Sequence, residues 1–308
     1  MNTGTKRNIV VQLGLLMIIT TLSANQFENH WYDGNAELAT YRIEEMRYGE
    51  LREGIRIMVF VTEPMQLSTH IKPDTKLPGD EQIAVIKLND LMKFPTGVYD
   101  YSIMSSTFSA VEKKGDIPPM SAMKVAFSGQ EWCGMVFERY VRKNEEFSGE
   151  LFSYFESEGE QQFSIPLDNG PVPEENLWIL IREMKGRFVK SGQSRRLPLV
   201  PSAWHRRKSH TPVRVVEATV TKSEPTKIST AIGAFDAHEF EWGYENHSTS
   251  VLVEKAWPHR ILSWKERDGS HGSVMSVRRE PYWRIHDNDD LHVRDSLALE
   301  SVFHSTPP

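Results

Sequence analysis

The chain has 308 residues, of which 39% are hydrophobic and 25% charged, and a formal net charge of -6. This balance supports a buried core and excludes an intrinsically disordered chain, and the acidic surplus argues against general nucleic-acid binding. Cys133 is the only cysteine, so no internal disulfide can form and stability has to come from packing.

The amino terminus reads as a secretory signal peptide over residues 1–24. Lys6 and Arg7 precede the apolar run Ile9 to Leu22, and Thr21, Ser23 and Ala24 supply small residues for cleavage. The alternative is an uncleaved anchor, because Leu22-Ser23-Ala24 is an imperfect cleavage site. Cleavage removes two positive charges, Lys6 and Arg7, and takes the formal charge from -6 to -8. No other stretch approaches the ~18 apolar residues of a membrane span, and no cysteine stands at the junction for lipid attachment. The expected product is a released protein, periplasmic or extracellular.

From Trp31 to Pro64 the sequence predicts a long hairpin. Ala39, Tyr41 and Ile43 alternate with Thr40, Arg42 and Glu44, and Leu51, Ile55, Ile57, Val59 and Val61 share one face of the partner run. Met58 and Phe60 make the far end of that run apolar on both faces, so this end is expected to be covered. Gly49 and Gly54 read as punctuation of the connection, and Pro64 as the end of the run. Strands are then expected at Gln82–Leu88, around Tyr99, Tyr101 and Ile103, and at Met123, Val125 and Phe127. Cys133, Met135 and Phe137 continue the pattern, followed by Glu150–Glu156 and Phe163–Ile165. The spacing is that of antiparallel meanders.

One helix interrupts the strands, over Glu174–Lys185. Pro173 suits its first turn, Glu174 and Glu175 complement its positive end, and Gly186 suits its cap. Leu177, Trp178, Leu180, Ile181 and Met184 share a face, which is expected to pack on the concave side of the sheet. Residues 185–214 contain no acid and nine basic side chains. They read either as a solvated basic linker or as a loop facing the anionic headgroup of a lipid or glycan. A second strand group occupies 213–285, with Asp268-Gly269 as a hairpin turn and Pro281-Tyr282-Trp283 closing the last edge. Residues 287–308 read as a flexible tail. The domain reading is a single β-rich unit over 25–286, in which strand groups 31–165 and 213–285 are joined by the helix and the basic stretch.

Motifs for chemistry are missing across several classes. There is no HExxH, no Walker loop, no GxGxxG between strand and helix, and no GxSxG. The Asp287–Asp290 run does not follow a calcium loop. No catalytic residue, metal site or cofactor is assigned. Cys133 in GQEWCGMVFERY shares the apolar phase of Met135 and Phe137, which favours a buried thiol over a nucleophile. The notable feature is aromatic content on strands: Tyr41, Phe60, Tyr99, Tyr101, Phe127, Trp132, Tyr154, Phe155, Phe240, Trp242, Trp264 and Trp283. These rings either fill a core beneath the helix or line a concavity for an apolar or amphipathic ligand.

The segments WYDGNAELATYRIEEMRYGELREGIRIMVFVTEP, GVYDYSIMSSTF and QEWCGMVFERY resemble an uncharacterised family of exported bacterial proteins. AFDAHEFEWGYENHSTSVLVEKAWPHRILSWKERDGSHG is similar to the closing region of a broader exported domain of unknown function. Members sometimes carry the label "septum formation inhibitor Maf", yet genuine Maf pyrophosphatases are cytoplasmic α/β proteins, unlike this signal-bearing, β-patterned chain. The resemblance implies export and a β-rich fold and transfers no catalytic residue. The expected fold is mainly β, an antiparallel curved sheet or open barrel around one amphipathic helix, similar to the half-barrels of periplasmic lipoprotein carriers. The expected role is a binding module for an apolar or amphipathic ligand such as a lipid. The alternatives are a structural or protein-interaction component of the envelope and, less favoured, a Cys133-dependent hydrolase.

Overall fold

The computed structural model describes residues 26–299; the expected signal peptide and the last nine residues lie outside them. The alternating hairpin is the centre of the architecture. β1 (Ala36–Arg47) and β2 (Glu50–Gln66) pair antiparallel from Glu37–Phe60 to Arg47–Glu50. From β2 the chain meanders outward through β3 (Gln82–Thr96), β4 (Tyr99–Ala110), β5 (Ala122–Glu131), β6 (Gly134–Arg142), β7 (Glu146–Ser153) and β8 (Glu160–Pro166).

The chain then crosses to the far edge. β9 (Val172–Pro173) pairs parallel with β10 (Gln193–Val200), the one parallel pairing among the described residues. It returns through β11 (Val216–Lys222), β13 (Gly233–Tyr244), β14 (His247–Glu254), β15 (Ile261–Glu266) and β16 (His271–Glu280), while β12 (Thr226–Thr230) pairs beside β13. β16 then pairs with β1 from Ala36–Glu280 to Glu44–His271. The two meanders therefore share a β1–β16 seam and form one large curved, mainly antiparallel sheet that does not close, as in a half-barrel.

The concave face is filled by side chains. The expected helix ends at Leu180 and not Lys185, spanning Glu174–Leu180; its Leu177 and Trp178, with Ile181 and Met184 from the turn that follows, share one core cluster with Tyr41, Ile43, Met58 and Phe60. Leu180 is only partly buried, whereas Ile179, off the predicted stripe, is 1% exposed. Trp178 stands edge-on to Trp242 and Trp264, 5.6 Å from each ring centroid. Burial of a large apolar side chain of this kind contributes roughly 1.5–3 kcal/mol.

Just past the helix, Arg182 is fully buried and forms a bidentate pair with Glu37 at 2.7 and 3.0 Å. It also donates to the carbonyls of Pro258 and His259. Burial alone would raise the Glu37 carboxyl, but Arg182 overrides it and holds Glu37 down to about 2. This tie fastens the helix to β1 and to the β14–β15 loop.

Several expectations are corrected by the register. Gly54 lies inside β2, paired with Ile43, where a Cβ would come 2.7 Å from Phe94 Cβ; it allows close backbone approach and does not mark a turn. β2 runs through Pro64 to Gln66, because its pairing with β1 ends at Phe60 and the missing N–H falls where only β3 flanks it. β3 likewise extends past Leu88 to Thr96.

The β6 phase is opposite to expectation: Val136, Glu138 and Tyr140 are buried while Met135 is exposed. Cys133 sits exposed in the β5–β6 turn. Residues 281–283 do not close an edge, since β16 is flanked by β1 and β15. Tyr282 and Leu297 instead pack on the outer face against Leu38, Val59 and Val61, which covers the apolar far end of the hairpin. The stretch from residue 287 is structured as far as 299. Asn288–His292 is a 3-10 turn, Val293–Ser296 is helical, and the Ser296 carbonyl accepts from Ser276 and Arg278 of β16.

Candidate functional site

The basic stretch 185–214 is where structure and sequence part most. It contains β10 and a second helix, Ala203–Ser209, whose Ser202 side chain caps it by accepting from His205 N at 3.1 Å. This helix lies against the concave side and turns its cations inward. Arg206 pairs with buried Glu138, Arg207 with Glu158, and Lys208 with Glu45 at 2.9 Å and Asp268 at 3.0 Å. Much of the apparent loop charge is thus counter-charge to acids on distant strands, while Arg187, Lys190, Arg195 and Arg196 remain exposed.

Between the two helices lies a polar chamber of about 60 Å³. Glu174 is its most heavily bonded group. Trp242 Nε1 donates at 2.8 Å, Tyr244 OH at 2.9 Å and Ser202 N at 2.8 Å, and His247 Nε2 lies 3.1 Å away. Burial would raise this carboxyl, yet His247 and the donors bring it down to about 2. Burial also disfavours charge on His247, but its contact with Glu174 raises it overall.

Glu175 has one bond, from Ala203 N at 2.8 Å, and its Oε2 is buried without a partner. Burial therefore pushes it up to about 7. His205, its ring 4.1 Å from that of His247, is brought down to about 4 by burial, with the charge of His247 adding.

Arg56 closes the floor. Its guanidinium is paired with Asp90 and sits 4.4 Å from the Trp178 ring and 4.6 Å from Trp264. The sequence reading missed Glu174, Glu175 and His247 as a group. It assigned the two glutamates to the helix terminus, and no spacing singles out His247.

A larger opening lies at the other end of the first helix. It is a groove of about 460 Å³ between the β4–β5 loop, the β6–β7 turn and residues 170–188. Its wall is apolar: Pro118, Pro119, Met120, Val172, Ile179, Leu180, Met184 and Phe188. Its rim is basic: Arg142, Lys185, Arg187 and Arg195. Lys185 is paired with Glu112, and Arg195 lies over the Phe188 ring at 5.1 Å. Glu183, the one acid on the groove among the described residues, is engaged by Lys222 and by the Phe188 and Val189 amides. Arg142 is half-buried against the Phe147 ring, and no carboxylate among the described residues pairs with it. Burial pulls its guanidinium down from the ordinary value.

The expected aromatic lining divides. Tyr41, Phe60, Tyr101, Phe127, Phe240, Trp242 and Trp264 are core, whereas Trp132 (75%), Tyr154 (76%) and Trp283 (44%) are exposed. The concavity is thus packed, and its residual chamber is far below the roughly 300–1,000 Å³ of organic-ligand pockets. The groove falls within that range and, unlike the chamber, has an apolar wall with a basic rim.

Among the described residues no histidine contacts Cys133 to serve as its base. Its hydrogen bond with Glu131 pushes the thiol up, the reverse of what a nucleophilic thiolate needs. Among the described residues no cluster of His, Cys, Asp and Glu is arranged for a metal, and no helix is long and apolar enough to cross a membrane. No family model, curated protein or solved structure matches the chain.

Proposed function

We propose that the protein is an exported, envelope-resident binding module for a single-chain amphipathic anion, held in the groove beneath the β4–β5 loop. The observation that carries this reading is the combination of an apolar wall with Arg142, a partly desolvated cation lacking a counter-charge. A buried cation without a partner is costly, and a carboxylate or phosphate headgroup offsets that cost by a charge-assisted bond. Leu180 and Phe188 would contact the chain, with Arg187 and Arg195 beside the headgroup. Export is the inference from the signal-peptide pattern of residues 1–24.

Competition between oleate and oleyl alcohol for the purified protein tests this. Saturable oleate binding that exceeds oleyl alcohol binding, and that falls about tenfold in Arg142→Gln, is the expected result. Equal binding of the two, or an unchanged Arg142→Gln variant, contradicts it.

A second reading, an interaction component of the envelope, is favoured by exposed Trp132, Tyr154 and Tyr48 on the hairpin turns at the opposite end of the sheet. Cross-linking in cells that yields discrete protein adducts lost in Trp132→Ala supports it; adducts that persist count against it.

A further inference from the structure

The chamber between the two helices is separate from the groove, and its charges do not balance. Five carboxyls face it: Glu45, Asp90, Glu174, Glu175 and Glu266. Two permanent cations, Arg56 and Lys208, also line it. Arg56 is committed to Asp90, and Lys208 to Glu45 and Asp268, with Glu266 only 3.7 Å away. Glu174 takes His247 as its partner. His205 contributes no charge, since burial and His247 hold its pKa low. Glu175 and Glu266 are left without a dedicated counter-ion.

A second, independent observation points into the same space. Glu175 is 8% exposed, its Oε1 accepts from Ala203 N, and its Oε2 has no partner. An unfilled acceptor in a space of about 60 Å³ has room for only a few heavy atoms. The indoles of Trp178, Trp204 and Trp242 border it, and aromatic walls with carboxylates favour an organic cation. A metal ion does not fit as well, because no group of three ligating side chains converges among the described residues.

We propose that the chamber receives the primary ammonium end of a small amine, which donates to Glu175 Oε2 and sets its positive charge against Glu175 and Glu266. The partly buried residues Ser202, Trp204, His205 and His247 stand on its outer side, where the remainder of the amine would leave. Burial raises both Glu175 and Glu266, so these carboxyls hold protons that the incoming ammonium displaces. Binding is therefore coupled to proton release.

Calorimetric titration of the full-length mature protein with methylammonium chloride at pH 6.5, in two buffers of different ionisation enthalpy, tests the assignment. The expected result is saturable heat whose buffer dependence reports release of roughly one proton per site, with sodium chloride inert at equal ionic strength. Glu175→Gln is expected to weaken binding at least tenfold and to reduce the proton release, leaving only the share that Glu266 supplies. A thermal-shift series on the wild-type protein supplies a readout independent of any variant, with methylammonium raising the melting temperature and sodium leaving it unchanged. Absence of saturable heat, an equal response to sodium, or unaltered binding and proton release in Glu175→Gln would overturn the proposal.

Discussion

Glu174 and Glu175 occupy consecutive positions, and burial acts on both carboxyls in the same direction. Hydrogen bonds then separate them: four polar partners keep Glu174 ionised, whereas Glu175 has one. The two shifts have opposite consequences for stability. Glu175, raised in the folded state to about 7, binds its proton more tightly when folded, so its contribution is full below about pH 4.5 and is lost as pH rises through 7. That loss is on the order of 3 kcal/mol. Glu175→Gln is therefore expected to flatten the fall in melting temperature between pH 5 and 8 and to melt higher than wild type at pH 8. A variant that melts lower than wild type across that range contradicts the buried-acid account.

Glu174 and Glu37, both held near 2, contribute stability that is present above about pH 4.5 and lost as pH falls toward 2. The Glu174–Glu175 pair was not readable as a site from the sequence. Acids at a helix start have an ordinary local explanation, and the groups that split these two, Trp242, Tyr244 and His247, lie about 70 residues away.

At the scale of elements, the strands were legible because one face of each is core and the alternation survives in the sequence. Val274 to Arg279 and Met123 to Phe127 fall inside β16 and β5. The Ala203–Ser209 helix was hidden by its own cations. Arg206, Arg207 and Lys208 read as solvated when their partners Glu138, Glu158 and Glu45 are out of sight. Ser202→Ala removes the cap and is expected to cost about 1 kcal/mol in urea unfolding, with no effect on cooperativity.

The Arg182–Glu37 tie makes a sharper case. Arg182→Ala leaves a buried carboxylate alone and is expected to destabilise by roughly 3–5 kcal/mol, whereas pairing Arg182→Met with Glu37→Leu recovers most of the loss. A double variant as unstable as Arg182→Ala would show that the tie is not what the site requires.

For the whole molecule, the single curved sheet was legible and its seam was not. Nothing local reveals that β16 returns to pair with β1, yet this contact makes two meanders into one surface. Gly272 sits on that seam opposite Ile43, directly against the Trp264 ring. Gly272→Val is expected to force the seam apart and lower the melting temperature of both meanders together, seen as one shifted transition by tryptophan fluorescence and by far-ultraviolet circular dichroism. Two separated transitions would contradict a shared core.

The same curvature that packs the concavity with tryptophans and leaves only a small chamber also places the groove at its end, where the first helix, the β4–β5 loop and Arg142 meet. The most direct measurement is native mass spectrometry of the mature protein purified from its own host, followed by organic extraction. A stoichiometric adduct that extracts as a single-chain anionic amphiphile, and that is lost in Arg142→Gln, is the predicted result. A bare mass in both proteins contradicts the binding account.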